Sequence, residues 1–141
     1  GRRITAPQIL LAAGARPVVP PIPGLVETGF HTSDSIMRLP ELPKRLGIIG
    51  GGFIAVEMGH VFAALGTEVT VFNRSPILLR DFDTEIATRF TEVFGARERV
   101  ELLLGLPVLL LPLGVVRRQV GVHRLRLDDG RDQVADLLVK L

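Results

Sequence analysis

The sequence predicts an α/β fold built on a parallel sheet, and three neighbouring stretches carry the prediction. Residues 46–49, Leu-Gly-Ile-Ile, are an apolar run short enough for a buried strand. The glycine turn Gly50-Gly51-Gly52 follows at once. Behind it Phe53, Ile54, Val56, Val61, Phe62 and Leu65 recur at helical spacing as far as Gly66, a helix stop. Residues 68–72, Glu-Val-Thr-Val-Phe, then form a second β-rich run. Strand, helix and strand in that order make a βαβ unit, whose two strands run parallel because the helix carries the chain back to the same end of the sheet.

The remaining elements follow along the chain. Residues 4–12 read as a strand ending in Ala12-Ala13-Gly14. Pro17, Pro20, Pro21 and Pro23, closed by Gly24, then forbid helix and favour an extended connector. In His31-Thr32-Ser33-Asp34, Ser33 or Asp34 is placed to cap a short helix running to Met37 or Arg38. Pro40 and Pro43 break the chain again before the βαβ unit. Beyond it Ile86, Ala87, Phe90, Val93 and Phe94 predict an amphipathic helix over 83–94, starting near Asp83 or Thr84. Residues 122–127 alternate apolar and basic side chains. Asp128-Asp129-Gly130 is a hairpin turn signal, with residues 134–141 as the returning strand. No internal repeat is visible. The chain opens on a strand with nothing ahead of it to pair with and stops on another, so it reads as a segment of a longer protein.

Composition narrows the function classes. With 141 residues, 47% of them hydrophobic, the chain suits one domain with an ample core, or one domain and a piece of another. Net charge is only +2, and the 15 arginines are scattered rather than striped along a helix, which gives nucleic-acid binding little support. There is no cysteine, so no disulfide, zinc–thiolate site or thiol nucleophile comes from this chain. Residues 102–116 are very apolar but too short to span a bilayer, and they hold Gly105, Pro107, Pro112 and Gly114. The N-terminus lacks the apolar core of a signal peptide. The expectation is a soluble, cytoplasmic protein without a membrane partner.

The glycine turn carries the chemistry. A first glycine, Gly50, lets the chain reverse sharply. A second, Gly52, lets a pyrophosphate approach the backbone. A third small residue, Ala55, lets helix and strand pack closely. The N–H groups and positive dipole at the helix start then face the phosphates. A turn of this pattern alone is common; between a strand and a helix inside a βαβ unit it predicts a Rossmann-like NAD(P)-binding domain.

The end of the second strand separates NAD from NADP. A carboxylate there would bond the adenosine ribose 2′-OH and repel a 2′-phosphate. This chain has Asn73 followed by Arg74, and Arg80 lies at the end of Ser75-Pro76-Ile77-Leu78-Leu79. A loop of that length can bring both guanidiniums onto one anion, which favours NADPH. The alternative is an ordinary surface arginine at 74, with Arg80 paired to Asp81 or Asp83.

Taken in order, Ala12-Ala13-Gly14-Ala15-Arg16-Pro17, Ile22-Pro23-Gly24, His31-Thr32-Ser33-Asp34, Leu42-Pro43 and the stretch from Gly50 to Glu57 resemble the pyridine nucleotide-disulfide oxidoreductases, a flavoprotein family. The finer phrases "HTSDSIMRLPELP" and "HVFAALGTEVTVFNRSPILLRDFD" are most similar to its mycothione reductase branch. The resemblance implies that residues 1–24 end a first FAD-binding segment, 25–43 form a connector, and 44–141 form a truncated NADPH-binding domain with a β-meander. It implies that Ala13 and Gly14 approach FAD; most relatives have threonine where Ala13 stands. It places Gly50, Gly52, Ile54 and Ala55 on the pyrophosphate side of NADPH, and Asn73, Arg74 and Arg80 at its 2′-phosphate end. Phe53 matches an aromatic position that covers the flavin; the alternative is a core phenylalanine. Glu57 matches a glutamate near the nicotinamide, or else is a solvated helix residue.

In the whole enzyme the resemblance implies hydride transfer from NADPH to FAD and reduction of a small-molecule disulfide through a cysteine pair. The first FAD-binding glycine motif, that cysteine pair, and the interface domain with the catalytic histidine and homodimer contact are absent from this chain. His31, His60 and His123 are therefore read as structural or exposed. Residues 95–120 depart from the family, which has a polar strand-loop-strand there, and the pattern resumes near Gly121. A reading-frame slip between two in-frame stretches would account for the departure; it predicts a damaged strand and an exposed apolar patch.

Overall fold

A computed structural model of the chain describes residues 3–14, 16–27, 29–105 and 136–140, the last as backbone alone. Its centre is a four-stranded, all-parallel sheet in the order β3-β2-β1-β4. The strands are β1 (Arg45–Ile49), β2 (Glu68–Asn73), β3 (Val100–Leu104) and β4 (Asp136–Lys140). Helix α1 (Ser33–Ile36) precedes the sheet, α2 (Phe53–Ala64) crosses from β1 to β2, and α3 (Thr84–Gly95) crosses from β2 to β3. The register runs Ile48↔Val71 between β1 and β2 and Val71↔Leu102 between β2 and β3.

β1 is buried from Leu46 to Ile49 because it is an inner strand, flanked by β2 and β4. Leu46, Ile48, Val69 and Val71 are the floor on which Val56 and Phe62 of α2 and Phe94 of α3 rest. The buried positions of α2 are Ala55, Val56, Gly59 and Phe62. The predicted apolar face included Phe53, Val61 and Leu65, which instead point outward. Small residues decide this. Gly59 lies where a Cβ would be 3.0 Å from Phe94 Cζ and 3.5 Å from Ile48 Cδ1, so the helix packs through its smallest side rather than its most apolar one. In α3 likewise Ala87 and Phe94 are buried and Phe90 partly so, while Ile86 and Val93 are exposed.

The helix ends follow sequence chemistry. Asp83 caps α3, its Oδ1 accepting from the N–H groups of Glu85 (3.0 Å) and Ile86 (3.1 Å). α2 stops at Gly66, whose φ of +102° suits glycine. There the Gly66 N–H donates to Ala63 O and the Thr67 N–H to Phe62 O, closing the helix with two reverse bonds. The buried Thr67 hydroxyl then donates to Pro43 O at 2.7 Å, tying the end of α2 to the entry of β1.

Two further expectations need correcting. The cap of α1 is Thr32, not Ser33 or Asp34: the Thr32 N–H donates to Ser35 Oγ while Thr32 Oγ1 accepts from Asp34 N, a reciprocal box those later residues cannot close. Residues 4–12 form no strand, because no described neighbour supplies the ladder partners a strand needs. Of the stretch 95–120, where a damaged strand is expected, residues 100–104 form the parallel strand β3 on β2, and residues 106–120 lie outside the described residues. Residues 136–140, within the strand expected over 134–141, pair with β1 in parallel. The expected strand at 122–127, its turn, the meander and the apolar run beyond Gly105 lie outside the described residues.

Candidate functional site

The strand order fixes where a ligand crevice lies. β2 sits on one side of β1 and β4 on the other, so the connections diverge at the C-terminal end of β1. In open α/β sheets the crevice forms at that switch point. The residues standing there are Gly50, Gly51 and Gly52.

The three glycines do different work. Gly50 has φ +122°, a conformation that strains any other residue, and its N–H donates to Phe72 O at 2.9 Å, locking the turn to β2. Gly51 is needed by a neighbour: a Cβ there would lie 2.5 Å from Asn73 Nδ2. A side chain at Gly52 would crowd no described residue. Its φ of −79° and ψ of −178° suit any residue, and a Cβ on it meets nothing within 4 Å.

Gly52 is also the N-cap of α2, with no side chain to cap it. The N–H groups of Phe53, Ile54 and Ala55 make no hydrogen bond among the described residues, the first bond back to the cap being Val56 N to Gly52 O. Three bare donors, the positive end of a three-turn helix and an open space beside a glycine form one anion cradle. Ala55 is fully buried, as close packing of helix on sheet requires. Phe53 is 57% exposed at the mouth of the turn, which overturns its reading as a core residue. Glu57 is exposed on the same helix.

The loop after β2 closes over the turn. Asn73 Nδ2 donates to Ser75 O (3.2 Å) and Ile77 O (3.0 Å). The Leu79 N–H donates to Gly51 O at 2.7 Å, and the Leu78 N–H to Thr91 Oγ1 of α3 at 3.0 Å. Arg74 and Arg80 are therefore each one residue away from a side chain or N–H that touches Gly51. Arg74 is exposed and makes no hydrogen bond or ion pair among the described residues. Arg80 Nε lies 3.4 Å from Asp81 Oδ1 in an exposed pair, which competes weakly with a bound anion. Ala13 and Gly14 are exposed, and no described hydrogen bond ties them to the turn. His31 Nδ1 bonds Ser35 Oγ at 3.1 Å and His60 is exposed on α2; His123 lies outside the described residues. A concavity at the opposite ends of the strands, lined by Arg45, Glu68, Thr70, Arg99 and Glu101, carries mixed charge and faces away from the bare amides. Gly51 is the site residue that the sequence motif does not single out.

A parallel sheet with crossover helices and a glycine turn at its switch point defines the Rossmann-like class of α/β domain. A model of the family described as pyridine nucleotide-disulphide oxidoreductase matches residues 1–140. The mycothione reductase of Mycobacterium tuberculosis (strain H37Rv) is 45% identical over 139 residues, covering 99% of this chain and 29% of that protein. The glutathione reductase of Burkholderia cepacia is 35% identical over the same length, with the same coverage of 99% and 29%. The mercuric reductase of Staphylococcus aureus is 47% identical over 92 residues, 65% of this chain and 17% of that one. Among solved structures, the HOCl-induced flavoprotein disulfide reductase RclA from Escherichia coli matches with a TM-score of 0.59 and 38% identity, over 65% of this chain and 21% of that chain. This chain belongs to the pyridine nucleotide-disulphide oxidoreductase family. It spans 29% of the length of the mycothione and glutathione reductases it matches.

Proposed function

We propose that this chain is the NADPH-binding portion of an FAD-dependent disulfide reductase, with residues 44–141 as the nucleotide domain, 25–43 as connector and 1–24 as the end of an FAD-binding segment. The observation that carries the reading is Gly52: an unconstrained glycine with open space beside it, at the start of a helix whose first N–H groups are bare. A helix N-cap favours serine, aspartate or asparagine at least as well as glycine, so a glycine left bare there suits a ligand that must come close. The missing carboxylate at the end of β2, together with Arg74 and Arg80 on a loop tied to the turn, supports NADPH over NADH.

When both cofactors are bound, the nicotinamide supplies the hydride and the flavin its acceptor. The residues of this chain bind and orient. In this reading the amides of Phe53, Ile54 and Ala55 take the pyrophosphate, Arg74 and Arg80 take the 2′-phosphate, and Phe53 and Glu57, both exposed on α2, serve the nicotinamide and flavin end. Ala13 and Gly14 contribute backbone to the flavin site. With no cysteine the segment supplies binding rather than turnover. Mycothione is the disulfide substrate we favour, on the higher identity of the mycothione reductase match, 45% against 35% for glutathione reductase. Glutathione reductase, matched over the same length, and mercuric reductase are the competing relatives. A cytoplasmic homodimer completes the reading for the whole enzyme; among the described residues no helix is long and apolar enough to cross a membrane.

The test is Arg74→Ala. Losing a charge-assisted contact costs about 1.5–3 kcal/mol, so NADPH should bind roughly 10- to 150-fold more weakly by calorimetry, with NADH unchanged. Equal loss for both nucleotides would overturn the 2′-phosphate assignment.

A further inference from the structure

The strongest unexplained side chain near the turn is Asn73. It closes β2 half-buried, and its amide is spent inside the chain: Nδ2 donates to both Ser75 O (3.2 Å) and Ile77 O (3.0 Å). Two donations to carbonyls two and four residues ahead fold the loop back across the end of its own strand. Further bonds hold the fold: Ile77 N to Ser75 Oγ (3.3 Å), Leu78 N to Thr91 Oγ1 (3.0 Å) and Leu79 N to Gly51 O (2.7 Å). Leu79 is left at φ +54°, a conformation a leucine adopts only when its surroundings impose it. Gly51 completes the brace, since a Cβ there would lie 2.5 Å from Asn73 Nδ2 and 2.6 Å from Asn73 Cγ. The carboxamide lies flat against the backbone of the glycine turn on one side and grips the arginine loop on the other.

We infer that Asn73 is a positioning residue for 2′-phosphate selectivity, acting through Arg74 and Arg80 rather than by touching the nucleotide. The inference rests on the proposed NADPH reading. Arg74 is the next residue, so its backbone direction is set where the carboxamide anchors the loop. Arg80 follows Leu79, whose N–H reaches Gly51 only if the chain has turned back as the two Asn73 bonds make it turn. A guanidinium on a freely moving loop must lose its freedom on binding; one on a braced loop has lost it already.

Direct contact and positioning give different signatures. A residue bonded to the ribose helps every adenosine nucleotide. A residue working through the arginines helps only those with a 2′-phosphate. The experiment titrates 2′,5′-ADP and 5′-AMP into the 141-residue chain and into Asn73→Ala. The expected result is unchanged 5′-AMP affinity and about tenfold weaker 2′,5′-ADP binding, the worth of about one lost hydrogen bond. Asn73→Leu keeps the bulk against Gly51 but cannot donate; it should behave the same, and it serves if the alanine variant does not fold. Full 2′,5′-ADP preference in either folded variant overturns the inference. So does equal weakening of both nucleotides, the mark of a direct ribose contact, and so does loss of cooperative melting in both variants, which would make Asn73 a support of the whole domain. A wild-type chain that binds both nucleotides equally would instead remove the NADPH reading beneath it.

Discussion

Two glycines of one turn should fail in opposite ways when replaced by alanine. Gly50 sits at φ +122°, where a Cβ strains the backbone, so Gly50→Ala should destabilise the fold by about 1–3 kcal/mol. Gly52 sits at φ −79° and ψ −178° with nothing within 4 Å of an added Cβ. The structural cost of Gly52→Ala is then only that of a poorer N-cap, about 1 kcal/mol or less. Its effect on ligand is larger. The methyl group fills the space through which a pyrophosphate reaches the amides of Phe53, Ile54 and Ala55. Displacing even one charge-assisted bond costs about 1.5–3 kcal/mol, which is roughly 10- to 150-fold in Kd. Urea denaturation measures the first quantity and an NADPH titration the second. A folded Gly52→Ala chain that binds NADPH as tightly as wild type would refute this, because the glycine would then be a helix cap and nothing more.

Two other substitutions test the packing that holds the turn in place. Thr67→Val removes the buried 2.7 Å bond to Pro43 O at no cost in shape, and should lower stability by about 1–3 kcal/mol in denaturant melts; an unchanged midpoint would show that α2 is not fastened to the entry of β1. Gly59→Val forces methyl groups against Phe94 and Ile48, and should cost about 1–3 kcal/mol by overpacking; a neutral result would mean that α2 stands further from the sheet than described.

The βαβ unit was legible because its signals are local. An apolar run, a glycine turn and a helical period ending at Gly66 sit side by side, and each element fell within a residue or two of its place. Asp83 announced α3 for the same reason. β3 escaped because Val100-Glu101-Leu102-Leu103-Leu104 is the head of a leucine-rich stretch that continues past Gly105, and the continuous run hid the strand within it. Its partner, β2, lies across α3 and could not be read from the run itself. The buried face of α2 escaped because Ala55 and Gly59 are buried for their smallness, a property that apolar periodicity does not weigh.

The site divides along the same line. Gly50, Gly52 and Ala55 form a spaced motif and could be named in advance. Gly51 could not, since its reason is the amide of Asn73, one strand further along the chain. Asn73 was read for the carboxylate it lacks; its two bonds to the following loop depend on how that loop folds. Phe53 carries two readings in the sequence, and its exposure removes the core one.

The most direct test of the central claim is an NMR titration of the isotopically labelled chain with 2′,5′-ADP and, separately, with 5′-AMP. The expected result is 2′,5′-ADP binding at least about tenfold tighter, with the amides of residues 52–55 and of the 74–80 loop shifting together. Equal affinity for the two nucleotides, or shifts that leave residues 52–55 untouched, would contradict it.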